Sequence, residues 1–130
     1  MTLNERAETA AKLKNEGKCN CCQAVAYVLA DETGVTSEVM MKLASGFALG
    51  IGNMENTCGA LIGAVMTAGM KCQGQGTVRI TRQINELFSK MCGSVICKEL
   101  KGRTSGKVLC PCDECVRNAV IAYGKIVGLE

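Results

Sequence analysis

Ten of the 130 residues are cysteine and none is histidine. With no imidazole there is no Cys–His or Ser–His nucleophile–base pair. Zinc sites that use histidine are excluded as well. Thiol chemistry remains: dithiol/disulfide redox, or a metal or iron–sulfur centre held by thiolates. The cysteines stand at Cys19, Cys21, Cys22, Cys58, Cys72, Cys92, Cys97, Cys110, Cys112 and Cys115. Cys21 and Cys22 follow Asn20, Cys58 follows Thr57, and Cys112 follows Pro111, so each group is predicted in the first turn of a helix. Unpaired amides and the positive end of the helix dipole favour a thiolate there, below the free value of about 8.5.

Three of these thiols share a phase with apolar residues. Cys21 is in register with Val25, Val28 and Leu29, and Cys112 with Val116 and Ala119. Cys58 begins a stripe through Leu61, Ile62, Val65 and Met66 at helical spacing. If the three helix starts lie at one end of the fold, the thiols converge. Buried free cysteine, however, often serves as a small hydrophobe. Cys92, on the face of Phe88, is expected to pack in the core, and Cys72, near a helix end, to be incidental. Cys115 is balanced between packing and function, and position alone leaves Cys97 undecided. Cys112 and Cys115 form a C-x-x-C, which resembles a redox pair or half a metal site, but in no βαβ context. The glycine-rich stretch from Gly46 to Gly52 lacks the Gly-Lys-Ser/Thr of a phosphate loop.

The elements that must position these residues all read as helical. Thr2 and Glu5 form a capping box for a helix to about Asn15. Asn20, with Gln23 three residues on, opens a second, which is apolar almost all round. Thr36 or Ser37 caps a third. Gly46 to Asn56 reads as a loop or broken helix. Thr57 is expected to cap a fourth helix, Cys58 to about Met70, whose Gly59, Gly63 and Thr67 lie beside Ala60, Ala64 and Ala68. Small residues four apart let another backbone approach, so this helix is expected to be the most buried. A fifth helix ends at Gly93, Ser94 caps a short sixth, and Pro111 opens the last. No alternating strand pattern is present. The expected fold is all-α: a single domain over residues 1–130, a bundle of about five to seven helices around a buried central helix starting at Cys58.

A net charge of +3, from 15 basic and 12 acidic residues, is too mild and dispersed for nucleic acid. Two Tyr and two Phe leave no stacking platform for single strands. No uncharged run approaches the about 20 apolar residues of a membrane span. The first seventeen residues contain no apolar signal core, so a cytoplasmic location is expected, where disulfides tend to be catalytic or sensing. Short apolar helices with surface Met and Cys admit a homodimer without specifying an interface.

Five segments together resemble one family. They are Asn20-Cys21-x-Gln23-Ala24-Val25, Ala44-Ser45-Gly46-Phe47, and Thr57-Cys58-Gly59-Ala60-x-x-Gly63-Ala64. Cys97 before Glu99-Leu100-x-Gly102, and Cys112-x-x-x-Val116, complete them. The chain is similar to the C-GCAxxG-C-C family of redox-active proteins, named for its cysteine pattern rather than for a reaction. By that match the family's four cysteines are Cys21, Cys58, Cys97 and Cys112. Cys22 and Cys115 are surplus, standing where the family usually has other residues, and either could substitute as a ligand. A weaker similarity to the corresponding domain of split-Soret cytochromes hints at electron transfer and a cluster.

The resemblance implies redox activity and leaves two uses of the four cysteines. The first is thiol/disulfide exchange, as in a thiol oxidoreductase. Cys21 and Cys58 would then exchange, with Cys97 and Cys112 as a second pair or relays. The partner would be a redox protein, a small-molecule thiol or another electron donor. The second use is an electron-transfer or metal-binding module holding a [2Fe–2S] cluster through the same cysteines. Zinc ranks below the cluster, because the usual paired knuckles are absent.

Overall fold

The computed structural model describes all residues from Met1 to Glu130. Seven α-helices account for most of the chain: α1 (Leu3–Asn15), α2 (Cys21–Val28), α3 (Ser37–Ala44), α4 (Gly59–Lys71), α5 (Thr77–Cys92), α6 (Cys97–Leu100) and α7 (Cys112–Val127). A 3-10 turn at Ala30–Glu32 and a π-type turn at Gly50–Met54 bring the helical segments slightly above the expected number. There are no strands. The fold is all-α, as the sequence predicts.

Local chemistry explains the helix starts. Thr2 accepts from the Glu5 amide while the Glu5 carboxylate accepts from Thr2, a full capping box. Asn20 and Gln23 form a second one ahead of α2. The Thr36 hydroxyl accepts from the Val39 amide and opens α3. At α4 the expectation changes. Thr57 does not cap; Cys58 occupies the cap position, and the helix begins at Gly59. Thr57 instead forms an isolated antiparallel bridge with Ile96. Around it the Cys58 amide donates to Val95 at 2.7 Å and the Cys97 amide to Asn56 at 3.0 Å. Two backbone hydrogen bonds therefore pin the start of α4 beside the start of α6.

The core lies where α2, α4 and α7 meet, with α1 packed along α7 and α2, and α5 along α7 and α4. The small-residue face of α4 is the buried one: Gly59, Ala60, Gly63, Ala64, Thr67 and Ala68 are inside together with Leu61. Ile62, Val65 and Met66, three of the five residues of the apolar stripe, are only half-buried. Close approach explains this inversion. A Cβ on Gly63 would stand 2.8 Å from the Cys22 carbonyl oxygen and 3.0 Å from the Val25 Cβ, so α2 lies directly on the glycine. Six of the eight residues of α2 are buried, against seven of 13 in α4, so α2 is proportionally the more enclosed. The end of α2 is tied to α1 by Arg6. Its guanidinium donates to the Val28 carbonyl at 2.7 Å and pairs with both oxygens of Asp31, at 2.6 and 2.9 Å. No helix is long and apolar enough to cross a membrane.

Candidate functional site

The starts of α2, α4, α6 and α7 meet at one end of the bundle. Around their junction lies a cavity of about 300 Å³ lined by Cys21, Cys58, Cys97 and Cys112, with Lys14, Asn20, Leu49, Gly59 and Lys101. The four cysteines thus come from four different elements. Each is placed by a local feature: the Asn20 cap, the Thr57–Ile96 bridge (which fixes both Cys58 and Cys97), and the Pro111 start of α7. Cys72 and Cys92 lie outside this cavity.

Glycines make room for the sulfurs. A Cβ on Gly59 would come within 2.7 Å of the Cys21 Sγ and 2.8 Å of the Phe47 carbonyl. A Cβ on Gly50 would strike the Cys97 Cβ at 2.8 Å, and Gly50 also has a positive φ of 54°. The adjoining loop carries unusual backbone. Leu49, Ile51 and Met54 have φ of 56°, 60° and 64°, a region that costs an L-residue about 1–3 kcal/mol. For the β-branched Ile51 this is a clear outlier. The segment read from sequence as a loop or broken helix is therefore a strained turn at the cavity.

The four thiols are not equivalent. Cys112 is held low, at about 5. The Cys21 thiol facing it is the main cause; burial opposes this, and the ammonium groups of Lys101 and Lys14 add to the lowering. Cys21 is pushed up correspondingly, because it supplies the proton to Cys112, is buried, and faces the charges of Cys112 and Cys58. Cys58 is lowered, first by the Cys115 thiol and, against burial, by the amides of Leu61 and Ala60 at the start of α4. Cys97 is raised by burial. A helix start alone therefore does not decide the thiolate. The expectation holds in direction for Cys58 and Cys112 and is reversed for Cys21, where sharing a proton with Cys112 outweighs the helix end. Cys112 also acts on Cys21 more than Cys58, its expected partner, does.

Lys101 is half-buried beside Cys112 and Cys97. Burial pushes its ammonium down, but Cys112 reverses that and the net shift is upward. An opposite charge within a few ångströms typically moves a pKa by about 1–3 units, and partial exposure puts this pair at the low end. Lys101→Met should therefore raise the Cys112 titration by about one unit. Thiolate absorbance near 240 nm, recorded against pH in the variant and parent, measures it. An unmoved curve would remove Lys101 from the site.

A second thiol group was not foreseen from the sequence. The sulfurs of Cys92, Cys110 and Cys115 lie within 4.8 Å of one another, all buried. Cys92, expected to serve packing alone, is therefore in a cluster as well as in the core. Cys115 borders both groups, since its thiol also acts on Cys58. No sequence signal marks Cys92, which comes to the cluster only because α5 ends there at Gly93. The C-x-x-C read from the sequence pairs Cys115 with Cys112, whereas the structure groups Cys115 with Cys110 and Cys92. Cys22, by contrast, packs with Ala26, Ala30, Met40 and Ala44 on the α3 side, and burial pushes it up to about 12. Cys72 ends α4, half-buried.

No curated protein and no solved structure matches the chain. A family model described as "Putative redox-active protein (C_GCAxxG_C_C)" matches residues 19–126, which takes in all four cavity cysteines and the Cys58–Gly63 glycine pattern. The chain belongs to the C_GCAxxG_C_C family.

Proposed function

We propose that the cavity performs thiol/disulfide exchange, with Cys112 as the attacking thiolate and Cys21 as its resolving partner. One observation carries this reading: Cys21 and Cys112 line one cavity and share a proton, with Cys112 tending toward the thiolate and Cys21 toward the thiol. Exchange needs that asymmetry, because the thiolate attacks and the better leaving thiol departs. The Cys112 sulfur attacks one sulfur of a disulfide substrate; the other sulfur leaves as a thiol after taking a proton. Cys21, losing its proton to solvent, then attacks Cys112 in the mixed disulfide and expels the second substrate thiol. The protein ends oxidised by two electrons and the substrate reduced by two. Run backwards, the same steps oxidise a dithiol. Lys101 and Lys14 favour the thiolate form of Cys112 and attract anionic thiol compounds or an acidic partner surface. Cys58 and Cys97 stand beside the pair as the second couple.

Mass mapping after treatment of the reduced protein with one equivalent of a small disulfide tests the pairing. A Cys21–Cys112 crosslink is expected as the first product. A first crosslink joining Cys21 to Cys58 would restore the pairing expected from their two buried helix starts and reject this one.

A second reading is favoured by the same cavity. Four thiols from four elements around about 300 Å³ offer the donor set of a [2Fe–2S] cluster, without histidine. Cys21, Cys58, Cys97 and Cys112 would hold it, and it would supply one-electron transfer. Zinc fits less well, because a closed Cys₄ site with sulfurs about 2.3 Å from the ion needs all four close together. The three sulfurs that are so close belong to the other cluster. Anaerobic purification with absorbance and iron analysis separates the readings: iron and visible absorbance lost in Cys97→Ser would select the cluster.

A further inference from the structure

We infer that Cys92, Cys110 and Cys115 form a second site, a three-thiolate centre for monovalent copper. The three sulfurs lie within 4.8 Å of one another. The residues are 4%, 3% and 1% exposed, so the group is closed to solvent. They are delivered by separate pieces of backbone: the end of α5, the turn before α7, and the first turn of α7. The turn is anchored by the Cys110 amide on the Leu100 carbonyl at 3.1 Å, and the Cys115 amide donates to Pro111 at 2.9 Å. The positions are therefore set by the fold and not by a flexible loop.

The donor set selects the ion. Cys58 bears on Cys115 alone and is not within 4.8 Å of all three sulfurs. The Cys115 thiol donates to the Cys110 carbonyl at 3.6 Å. The remaining polar side chain at the sulfurs is Asn118. Its amide nitrogen donates to Cys92 at 3.3 Å and reaches toward Cys110 at 4.0 Å. That group is a donor, which supports thiolates from the outer side as such partners do around bound metals. It offers no fourth ligand atom on that side. Closed zinc sites and iron–sulfur clusters call for four protein ligands. Three soft sulfurs with no nitrogen or oxygen side-chain ligand among them suit Cu(I), a soft d10 ion that accepts three-coordination. On binding, three Cu–S bonds form and the thiol protons pass to solvent; copper keeps its oxidation state, so no electron donor is needed. This site uses neither Cys21 nor Cys112 and stands or falls apart from the exchange reaction.

The test is titration of the reduced, anaerobic full chain with Cu(I) against a chromogenic Cu(I) chelator. The parent should retain one equivalent of copper. Cys92→Ser and Cys110→Ser should each weaken retention at least tenfold, whereas Cys21→Ser and Cys97→Ser should leave it unchanged. Copper loss that follows Cys21 or Cys97 instead, or no retention by the parent, would overturn the assignment. X-ray absorption on the unmutated copper complex guards against variants that fold poorly. Three sulfur neighbours are expected, and two or four would overturn the site.

Discussion

Alkylation of Cys112 by iodoacetamide should run at a nearly constant rate from pH 6 to pH 8. The sign follows from the direction of the shift: a thiol held at about 5 is thiolate above that pH and loses the charge only as pH falls through it. An ordinary thiol near 8.5 is about 0.3% ionised at pH 6 and about a quarter ionised at pH 8, so its rate climbs roughly 75-fold over that range. The low pKa also makes each thiolate a weaker nucleophile. With a Brønsted slope of about 0.5, a shift of some 3.5 units costs about 50-fold in intrinsic reactivity. At pH 6 the roughly 300-fold gain in thiolate still wins, leaving Cys112 about fivefold faster than an ordinary thiol. At pH 8 it should be slower than one. The flat profile, not the absolute rate, is therefore the signature. Cys72 is the one other thiol that is not buried, so the measurement belongs in a Cys72→Ser background. There, Cys112→Ser should remove the rapid phase. Cys21→Ala should turn the flat profile into a rising one, because the Cys21 thiol is the largest cause of the lowered Cys112 value. A parent rate that rises more than tenfold between pH 6 and 8 would reject the thiolate.

Much of this site could be read before the fold was known, and the parts that could not share one physical cause. Helix starts are local: Asn20 with Gln23, and Thr2 with Glu5, specify caps within a few residues, and both appear as read. Placing Cys21 and Cys112 at helix starts was equally local. Which thiol faces which is not. Cys21 meets Cys112 through the packing of α1, α2 and α7, some ninety residues apart in the chain, and no spacing rule encodes that. The Cys92–Cys110–Cys115 group depends in the same way on where α5 ends against the turn before α7. The inversion on α4 has a related origin. Its large residues suggest an inward stripe by periodicity, but burial follows closeness of approach, and only the glycine and alanine face lets α2 come within contact of the backbone. Thr57 misled for a different reason. Its hydroxyl is a good cap on propensity, yet the bridge to Ile96 uses its backbone and moves the cap to Cys58.

Three alanine substitutions along α4 should separate helix propensity from close approach. Gly69 has nothing within 4 Å of its added Cβ. Gly69→Ala should therefore gain up to about 1 kcal/mol, the ordinary advantage of alanine over glycine inside a helix. Gly63→Ala earns the same propensity but drives its methyl to 2.8 Å from the Cys22 carbonyl oxygen. That contact is backbone, so no rotamer change relieves it, and the two helices must separate. Overpacking of this kind costs about 1–3 kcal/mol. The net effect is destabilising, and for a domain of this size each kcal/mol lowers the melting temperature by about 3–5 °C. Thermal unfolding followed by circular dichroism should place Gly69→Ala a few degrees above the parent and Gly63→Ala clearly below it. Gly59→Ala adds a chemical readout. Its methyl meets the Cys21 sulfur at 2.7 Å and the Phe47 carbonyl at 2.8 Å. It should lower stability as Gly63→Ala does, and it should also displace Cys21 from Cys112. The Cys112 thiolate then loses its proton donor, and its titration moves upward in Gly59→Ala but not in Gly63→Ala. If Gly63→Ala melts at or above the parent, α2 does not rest on α4 at that glycine. The cavity end of the bundle would then have to be held together by the Thr57–Ile96 bridge, and the far end of α2 by the Arg6–Asp31 tie.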